Sequence, residues 1–322
     1  MTRRPSRQAR AAQYLLLVAV AAAVWFLLAT ASDNLARRHM NFGFAFLGLS
    51  ANFDIPFRLI DWHVGDTYGR ALLVCVLNTL LVSAMGIVTA SLLGLLVGLM
   101  RLSTNWLVRN LALCYVELIR NTPLLVQIAF WYIAVLQSLP SPRESLHIPG
   151  GLLLNIRGLY LPSFDFSSGF DFPALRGFNI QGGVQIPPEL VALWAGLSLY
   201  SAAFIAEIVR SSILSVHRGQ REAALSLGLK PHQVMARVVL PQALRVMVPP
   251  LTSQYLNLIK SSSLGAAIAY PELFSIFAGT VLNQTGREME TIFLLMLIFL
   301  AISLSTSAFM NWYNRRVALV VR

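Results

Sequence analysis

Ala71-Leu-Leu-Val-Cys-Val-Leu-Asn-Thr-Leu-Leu-Val-Ser-Ala-Met-Gly-Ile-Val-Thr-Ala-Ser-Leu-Leu-Gly-Leu-Leu-Val-Gly-Leu-Met100 is a run of thirty residues without one charged side chain. The hydrocarbon core of a bilayer takes about 20 apolar residues as a helix, so this run has the length and character of a membrane span. Five further apolar runs accompany it: Tyr14 to Ala31, Leu111 to Gln137, about Leu190 to Arg210, about Val246 to Ala269, and Thr291 to Asn314. The expectation is an all-α polytopic bundle of about six transmembrane helices. Composition agrees. The 322 residues are 56% hydrophobic and 12% charged, with a mean hydropathy of +0.65, against about 25% charged in soluble domains. Such a chain cannot cover a water-facing surface with polar groups, and it is too apolar for intrinsic disorder. Cys75 and Cys114 both lie inside apolar runs, which excludes a disulfide framework or a cysteine-based zinc site.

The net charge of +11 is compatible with nucleic acid or with membrane topology, and the placement of the charges decides. With the N-terminus inside, segments 1–13, 101–110, 215–241 and 315–322 hold thirteen Arg and Lys and one acid, Glu222. Segments 32–70, 138–188 and 270–288 hold eight basic and nine acidic residues. Cytoplasmic loops of membrane proteins collect Arg and Lys in this way, so the basic balance needs no nucleic acid. Six spans bring both termini to the cytoplasm, with Arg315, Arg316 and Arg322 in the tail. The first run has two readings. Arg3, Arg4, Arg7, Arg10 and Ala-Thr-Ala at 29–31 suit a signal peptide, but the eighteen-residue run is long for one, and a retained helix is favoured.

The expected organisation is an N-terminal helix and outer segment over 1–70, a transmembrane domain over 71–314, and a short tail over 315–322. Within the domain, 138–188 is rich in Gly, Pro and aromatics, as in Leu161-Pro-Ser-Phe-Asp-Phe-Ser-Ser-Gly-Phe170. It is too irregular for lipid, where unpaired backbone groups are costly. It is expected outside, as a cap or partner surface or as a floppy loop.

The inner segment 215–241 contains Gly219-Gln-Arg-Glu-Ala-Ala-Leu-Ser-Leu-Gly-Leu-Lys-Pro-His-Gln-Val-Met-Ala-Arg-Val-Val-Leu-Pro241. It reads as two short helices. Glu222 to Leu227 suits helix, Gly228 a left-handed stop, and Pro231 the first turn of the next helix. Pro241 ends that piece or opens the next span. The result is a compact cytoplasmic knob in which Ala223 and Ala224 keep one face small enough for close contact with another protein, and Glu222 offers an ionic contact. The bland alternative is a basic amphipathic loop at the lipid surface.

Glu222-Ala-Ala, then Gly228, then Leu240-Pro241 resembles the EAA loop of the permease subunits of bacterial ABC importers, with Val238 at the usual aliphatic position. Arg120-Asn-Thr-Pro-Leu-Leu-Val-Gln127, Phe204-Ile-Ala-Glu-Ile-Val-Arg210, Pro241-Gln-Ala-Leu-Arg-Val-Met-Val-Pro-Pro250 and Leu256-Asn-Leu-Ile-Lys-Ser-Ser-Ser-Leu264 resemble the polar amino-acid branch of that family. The extra first span, the large outer segment and Asn311-Trp-Tyr-Asn-Arg-Arg316 are similar to general L-amino-acid permeases. The resemblance covers about residues 71–314 and implies a type I ABC importer transmembrane domain in the bacterial inner membrane. It implies a second permease subunit, two cytoplasmic ATPases and a periplasmic amino-acid-binding protein. It also implies a chain that is no enzyme. ATP and Mg would be bound by the ATPase, and this sequence contains no Gly-x-x-x-x-Gly-Lys-Ser/Thr phosphate loop. Coupling would run through Glu222, Ala223, Ala224, Gly228, Leu240 and Pro241.

Polar residues inside spans are expensive and usually face protein or water. Ser253, Asn257 and Lys260 follow i, i+4, i+7 spacing and share a helix face. Lys260 either meets a substrate carboxylate or is a structural lysine. Pro249-Pro250 earlier in that span invites a bend. Asn78 and Thr79, and Asn121 and Thr122, are further candidates for lining a path. Glu117 with Arg120, and Glu207 with Arg210, have i, i+3 spacing and read as self-neutralising structural or gating pairs. The five histidines form no metal-ligand spacing. A secondary transporter would need relay charges deep in the spans, yet Lys260 is the only deep one; a membrane enzyme would need clustered catalytic groups, which the sequence lacks.

Overall fold

A computed structural model describes residues 13–23, 25–26, 29–30, 43–165, 169–177 and 179–317. The N-terminal unit contains a short apolar helix, α1 (Gln13–Ala23), whose side chains are exposed. The basic residues before it, much of the first run's second half and Arg322 lie outside the described residues.

The second unit begins at Gly48 and holds the helices α2 (Tyr68–Met100), α3 (Trp106–Arg120), α4 (Leu124–Ala129), α5 (Pro188–Leu214), α6 (Arg218–Ser226), α7 (Pro231–Val234), α8 (Leu240–Ser261), α9 (Leu282–Thr285) and α10 (Glu288–Val317). Four helical stretches are long and apolar enough to cross a membrane: α2, α5, the continuous run Pro231–Ile268 and Glu288–Arg316. A fifth is available only if α3 and Leu124–Ser138, bent by 103°, count as one span. The described residues therefore supply four or five spans, fewer than the six read from sequence.

The third apolar run is not one rod. Pro123 has no N–H to continue the α3 ladder, and the chain turns at Asn121-Thr122-Pro123. The corner is closed by side chains: Asn121 Nδ2 donates to the Glu117 carbonyl (2.7 Å), and the buried Gln127 donates to the carbonyls of Ile119 (2.9 Å) and Thr122 (3.0 Å). Pro249 and Pro250, by contrast, lie within the helical run Pro231–Ile268.

Helix α5 is the centre of the bundle. On α2, Gly86, Ala90, Gly94 and Gly98 recur every fourth residue and are buried. Between helices in lipid there is no hydrophobic drive, so small residues that let backbones approach carry the association. A Cβ on Gly94 would sit 2.6 Å from Ile205, and one on Gly98 2.8 Å from Val209, both on α5. On another side of α5, a Cβ on Gly196 would sit 2.7 Å from Ile128 of α4. Polar side chains tie α3 and α2 to α5 and α2 to α8: Tyr115 donates to the Leu199 carbonyl (2.7 Å), Trp194 to Thr89 Oγ1 (3.1 Å), and Tyr255 and Ser91 share a hydrogen bond of 2.8 Å. Gly94→Val should overpack this seam at about 1–3 kcal/mol, lowering the melting temperature and folded yield in detergent, whereas Leu96→Val, at an exposed position of the same helix, should not. Helix α10 packs on α8 and leaves Met296, Leu297, Leu300 and Leu304 exposed, as a lipid-facing helix does.

The segment between α4 and α5 corrects the all-α expectation and the floppy-loop alternative. It carries eight short strands: β1 (Leu146–Ile148), β2 (Leu152–Asn155), β3 (Gly158–Leu161), β4 (Ser163–Asp165), β5 (Gly169–Asp171), β6 (Ala174–Arg176), β7 (Asn179–Gln181) and β8 (Val184–Ile186). Antiparallel pairing gives a sheet ordered β1-β2-β3-β8 and two hairpins, β4-β5 and β6-β7. Gly158, at φ +115°, allows the tight β2–β3 turn, where a Cβ would strike the Ile186 carbonyl. Asn155 is buried beneath the turn, donating to Ser145 Oγ (3.0 Å) and accepting the Arg157 N–H (2.8 Å). The glycines and aromatics that looked like irregular loop are the turns and pairs of this small sheet.

Candidate coupling knob and polar face

After α5 the chain turns at His217, whose Nδ1 accepts the Gly219 N–H (3.1 Å) and starts α6. Helix α6 ends as its sequence suggests. Gly228 has φ +79°, with the N–H groups of Gly228 and Leu229 closing onto the carbonyls of Leu225 (2.9 Å) and Ala224 (3.3 Å). Pro231 opens α7, and the Gln233 side chain accepts the Lys230 N–H (2.9 Å). A π-helical turn, Met235–Val239, then joins α7 to α8. Pro241 lies in the first turn of α8, and Gln242 Nε2 caps the Val238 carbonyl (2.9 Å). The knob's second helix and the following span are thus one continuous helical run, so displacement of the knob has a direct lever into the membrane.

The two alanines do not share an outer face. Ala224 is buried and packs in the core with Val216, Val234 and Val239, while Ala223 is exposed. The outer surface is Glu222, Ala223, Leu225, Ser226, Leu227 and Gly228, with Leu227 84% exposed. Leu240 is exposed and Pro241 half-buried. Arg221, which the motif does not single out, holds the knob to α5 by donating to the Ile213 carbonyl (2.7 Å).

Of the two candidate ion pairs, one forms. Arg210 donates to Glu207 through Nη2 (2.5 Å) and Nε (3.1 and 3.2 Å). Glu207 is also bonded by Arg101, the residue that ends α2, so the pair is one half of a clamp between α2 and α5. Glu117 and Arg120 do not pair. The Arg120 guanidinium lies 5.0 Å from the centre of the Phe204 ring, and the Glu117 side chain is 3.4 Å from Asn121 Nδ2. Arg101 was legible only as one more cytoplasmic charge, because its partner lies 106 residues on.

Asn78 and Thr79 do not line a path. Both are fully buried. Asn78 Nδ2 donates to the carbonyls of Phe57 (2.9 Å) and Pro271 (2.8 Å), and Tyr270 donates to the Asn78 carbonyl (3.1 Å). Thr79 Oγ1 accepts the Leu273 N–H (3.1 Å) and donates to the Cys75 carbonyl (2.9 Å). They fasten the turn after the long helix onto α2. Glu272, within that turn and fully buried, accepts the N–H groups of Phe274 (2.8 Å) and Ser275 (2.6 Å); burial, against those two bonds, pushes its carboxyl up to about 7. Asn121 is exposed and Thr122 half-buried, and both are spent on capping α3.

Ser253, Asn257 and Lys260 are exposed on one face of α8, continuing a stripe from Val246, Pro249 and Pro250; the residues behind them, Gln254, Leu258 and Ile259, are buried. The polar part of the stripe, Ser253 to Lys260, is therefore open among the described residues of this unit.

The geometry is that of a membrane permease: a helical bundle, a helical knob continuous with a span, and a polar face that is exposed among the described residues. The chain belongs to the family described as the binding-protein-dependent transport system inner membrane component, which matches residues 86–319. It is 45% identical to the permease protein YhdX of Escherichia coli (strain K12), named for amino-acid ABC transport, with 99% of this chain and 96% of that one covered. It is 41% identical to the general L-amino acid transport system permease protein AapQ of Rhizobium johnstonii, with 96% and 92% covered. Among solved structures, a crystal structure of an amino acid ABC transporter with histidines matches with a TM-score of 0.58 and 25% identity, over 77% of this chain and 95% of that one. The chain is thus a multi-pass inner-membrane permease subunit of an ABC importer and not itself an enzyme; ATP hydrolysis lies in a partner.

Proposed function

We propose that this permease carries polar L-amino acids, such as glutamate, glutamine, aspartate and asparagine, from periplasm to cytoplasm. The observation that supports the substrate class is the near full-length similarity to YhdX and AapQ, together with the likeness of a third relative, 36% identical over 95% of this chain: the glutamate/glutamine/aspartate/asparagine transport system permease protein BztB of Rhodobacter capsulatus. In this reading a second permease subunit, related or identical, closes over the α8 stripe and turns it into a path. Glu222 and its exposed neighbours dock in an ATPase that holds ATP and Mg. A periplasmic amino-acid-binding protein delivers the substrate. The uptake test uses the assembled system in liposomes: labelled L-glutamine should enter only with ATP and the binding protein, and entry driven by a proton or sodium gradient without ATP would refute it.

The charge distribution supports an orientation with both termini and the knob in the cytoplasm and the β segment outside. Single cysteines at Ala174, exposed on β6, and at Ser226, exposed on the knob, test it in a chain lacking Cys75 and Cys114. An impermeant thiol reagent applied to spheroplasts should modify the first and not the second. The opposite pattern would invert the topology.

A further inference from the structure

A cavity of about 490 Å³ lies where the β segment meets the helices, and Phe57, Arg157, Gln185, Pro187, Glu189 and Pro271 contribute to its wall. Four separate parts of the chain build it: the segment before α2, the β2–β3 turn, the passage from β8 into α5, and the turn that follows the long helix. Its volume falls in the range of small-molecule sites, about 300–1,000 Å³.

The wall carries one cation and one carboxylate, and no ion pair joins Arg157 to Glu189 among the described residues. Each is held by a neutral group instead. Arg157 Nη1 donates to Asn179 Oδ1 (2.6 Å), and Glu189 Oε1 accepts the Tyr132 hydroxyl (3.1 Å). Gln185 Nε2 donates to the Arg157 carbonyl (2.9 Å), which leaves its amide oxygen available. A guanidinium has five N–H donors in a planar fork that matches a carboxylate, so the bond to Asn179 leaves most of Arg157 free to recognise an anion. Glu189 likewise keeps an oxygen for a cation. Prolines on the wall restrict the backbone between these groups. Ala269, which also lines the cavity, holds the left-handed φ of +58° that turns the chain out of the long helix bearing Lys260. Such a conformation is costly for a non-glycine residue and persists where the surroundings fix it.

We propose that this cavity is an entry site that binds a free amino acid by both of its charges, the α-carboxylate at Arg157 and the α-ammonium at Glu189, with Gln185 facing a polar side chain. The assignment rests on the amino-acid reading above. Arg157 and Gln185 are exposed and Glu189 is half-buried, so a zwitterion arriving from solvent can meet both charges at once. Selection follows, because an N-acylated or amidated amino acid satisfies only one wall.

The test uses the assembled permease–ATPase complex in liposomes. Pro56→Cys, at an exposed position of the wall that the proposal gives no contact, is placed in a Cys114→Ser background, since Cys75 is buried. Without the binding protein, L-glutamine should slow modification of the new thiol, and N-acetyl-L-glutamine should not. Arg157→Gln and Glu189→Gln should each raise the L-glutamine concentration for half protection about tenfold, the scale of one lost charge-assisted contact. In uptake assays with the binding protein, the same two changes should raise KM and leave the maximal rate near that of the parent, which a merely structural defect would not do. If the parent complex imports L-glutamine yet the thiol reacts at the same rate with and without it, the entry site is overturned. If the parent complex imports no amino acid at all, it is the substrate reading that fails.

Discussion

Gly228→Val is expected to uncouple the importer: transport should fall to background while the permease still inserts in the membrane. Gly228 sits at φ +79°, and a Cβ added there would meet nothing within 4 Å, so the penalty is one of backbone and not of space. A β-branched residue in the left-handed region costs about 1–3 kcal/mol, and the chain escapes that cost by unwinding the end of α6. The N–H groups of Gly228 and Leu229 would then leave their carbonyls, and the outer surface of Glu222, Ala223, Leu225 and Leu227 would lose its shape. Gly228→Asn, a residue that tolerates this region better, should keep a substantial part of the activity. Glu222→Ala should leave α6 intact, since its side chain is exposed and Ser226 bonds only its carbonyl. It should still reduce ATPase association or substrate-stimulated hydrolysis. Ala224→Leu provides the contrast, because it would act through the core against Val216, Val234 and Val239 and lower folded yield first. The measurements are ATPase retained on affinity-purified permease and substrate-stimulated ATP hydrolysis. Normal values in both Gly228→Val and Glu222→Ala would remove the knob from the coupling path.

What the sequence makes legible follows from how local the cause is. The apolar runs that became α2, α5 and α10, the left-handed turn at Gly228 and the helix start at Pro231 are set within a few residues, and these are found. The break of the third run was also local. Asn-Thr-Pro at 121–123 is a helix stop, but hydropathy averages across it. Small side chains recur every four residues at Gly86, Ala90, Gly94 and Gly98, but which helix they meet is set only by the fold, where Gly94 and Gly98 face Ile205 and Val209 of α5. The β segment was not legible because its strands are three or four residues long and their alternation is too brief to stand out from turn residues. Long-range partners were beyond reach. Asn78 looks like any polar group in a span until the chain returns with Pro271, 193 residues later. Arg101 likewise looks like an end charge until Glu207 arrives.

Lys260→Met should depress uptake severely while leaving assembly and binding-protein affinity unchanged. The exposed positions Ser253, Asn257 and Lys260 form one polar stripe on α8, with Gln254, Leu258 and Ile259 buried behind it. Among the described residues no carboxylate forms an ion pair with Lys260. In lipid a lysine so placed would be expensive; against a second permease subunit it would stand in a water-bearing path, where the carboxylate of each passing substrate compensates its charge. Methionine keeps the length of the side chain and removes the charge, so packing is preserved and the lost interaction is electrostatic. Lys260→Arg should be partly tolerated, because the planar guanidinium is bulkier and presents its donors differently. Asn257→Ala and Ser253→Ala, which remove hydrogen bonds on the same face, should have smaller effects on KM. The deciding comparison is between uptake and assembly in one set of variants. Normal transport by Lys260→Met excludes a substrate contact, and loss of the assembled complex assigns Lys260 to the subunit interface instead.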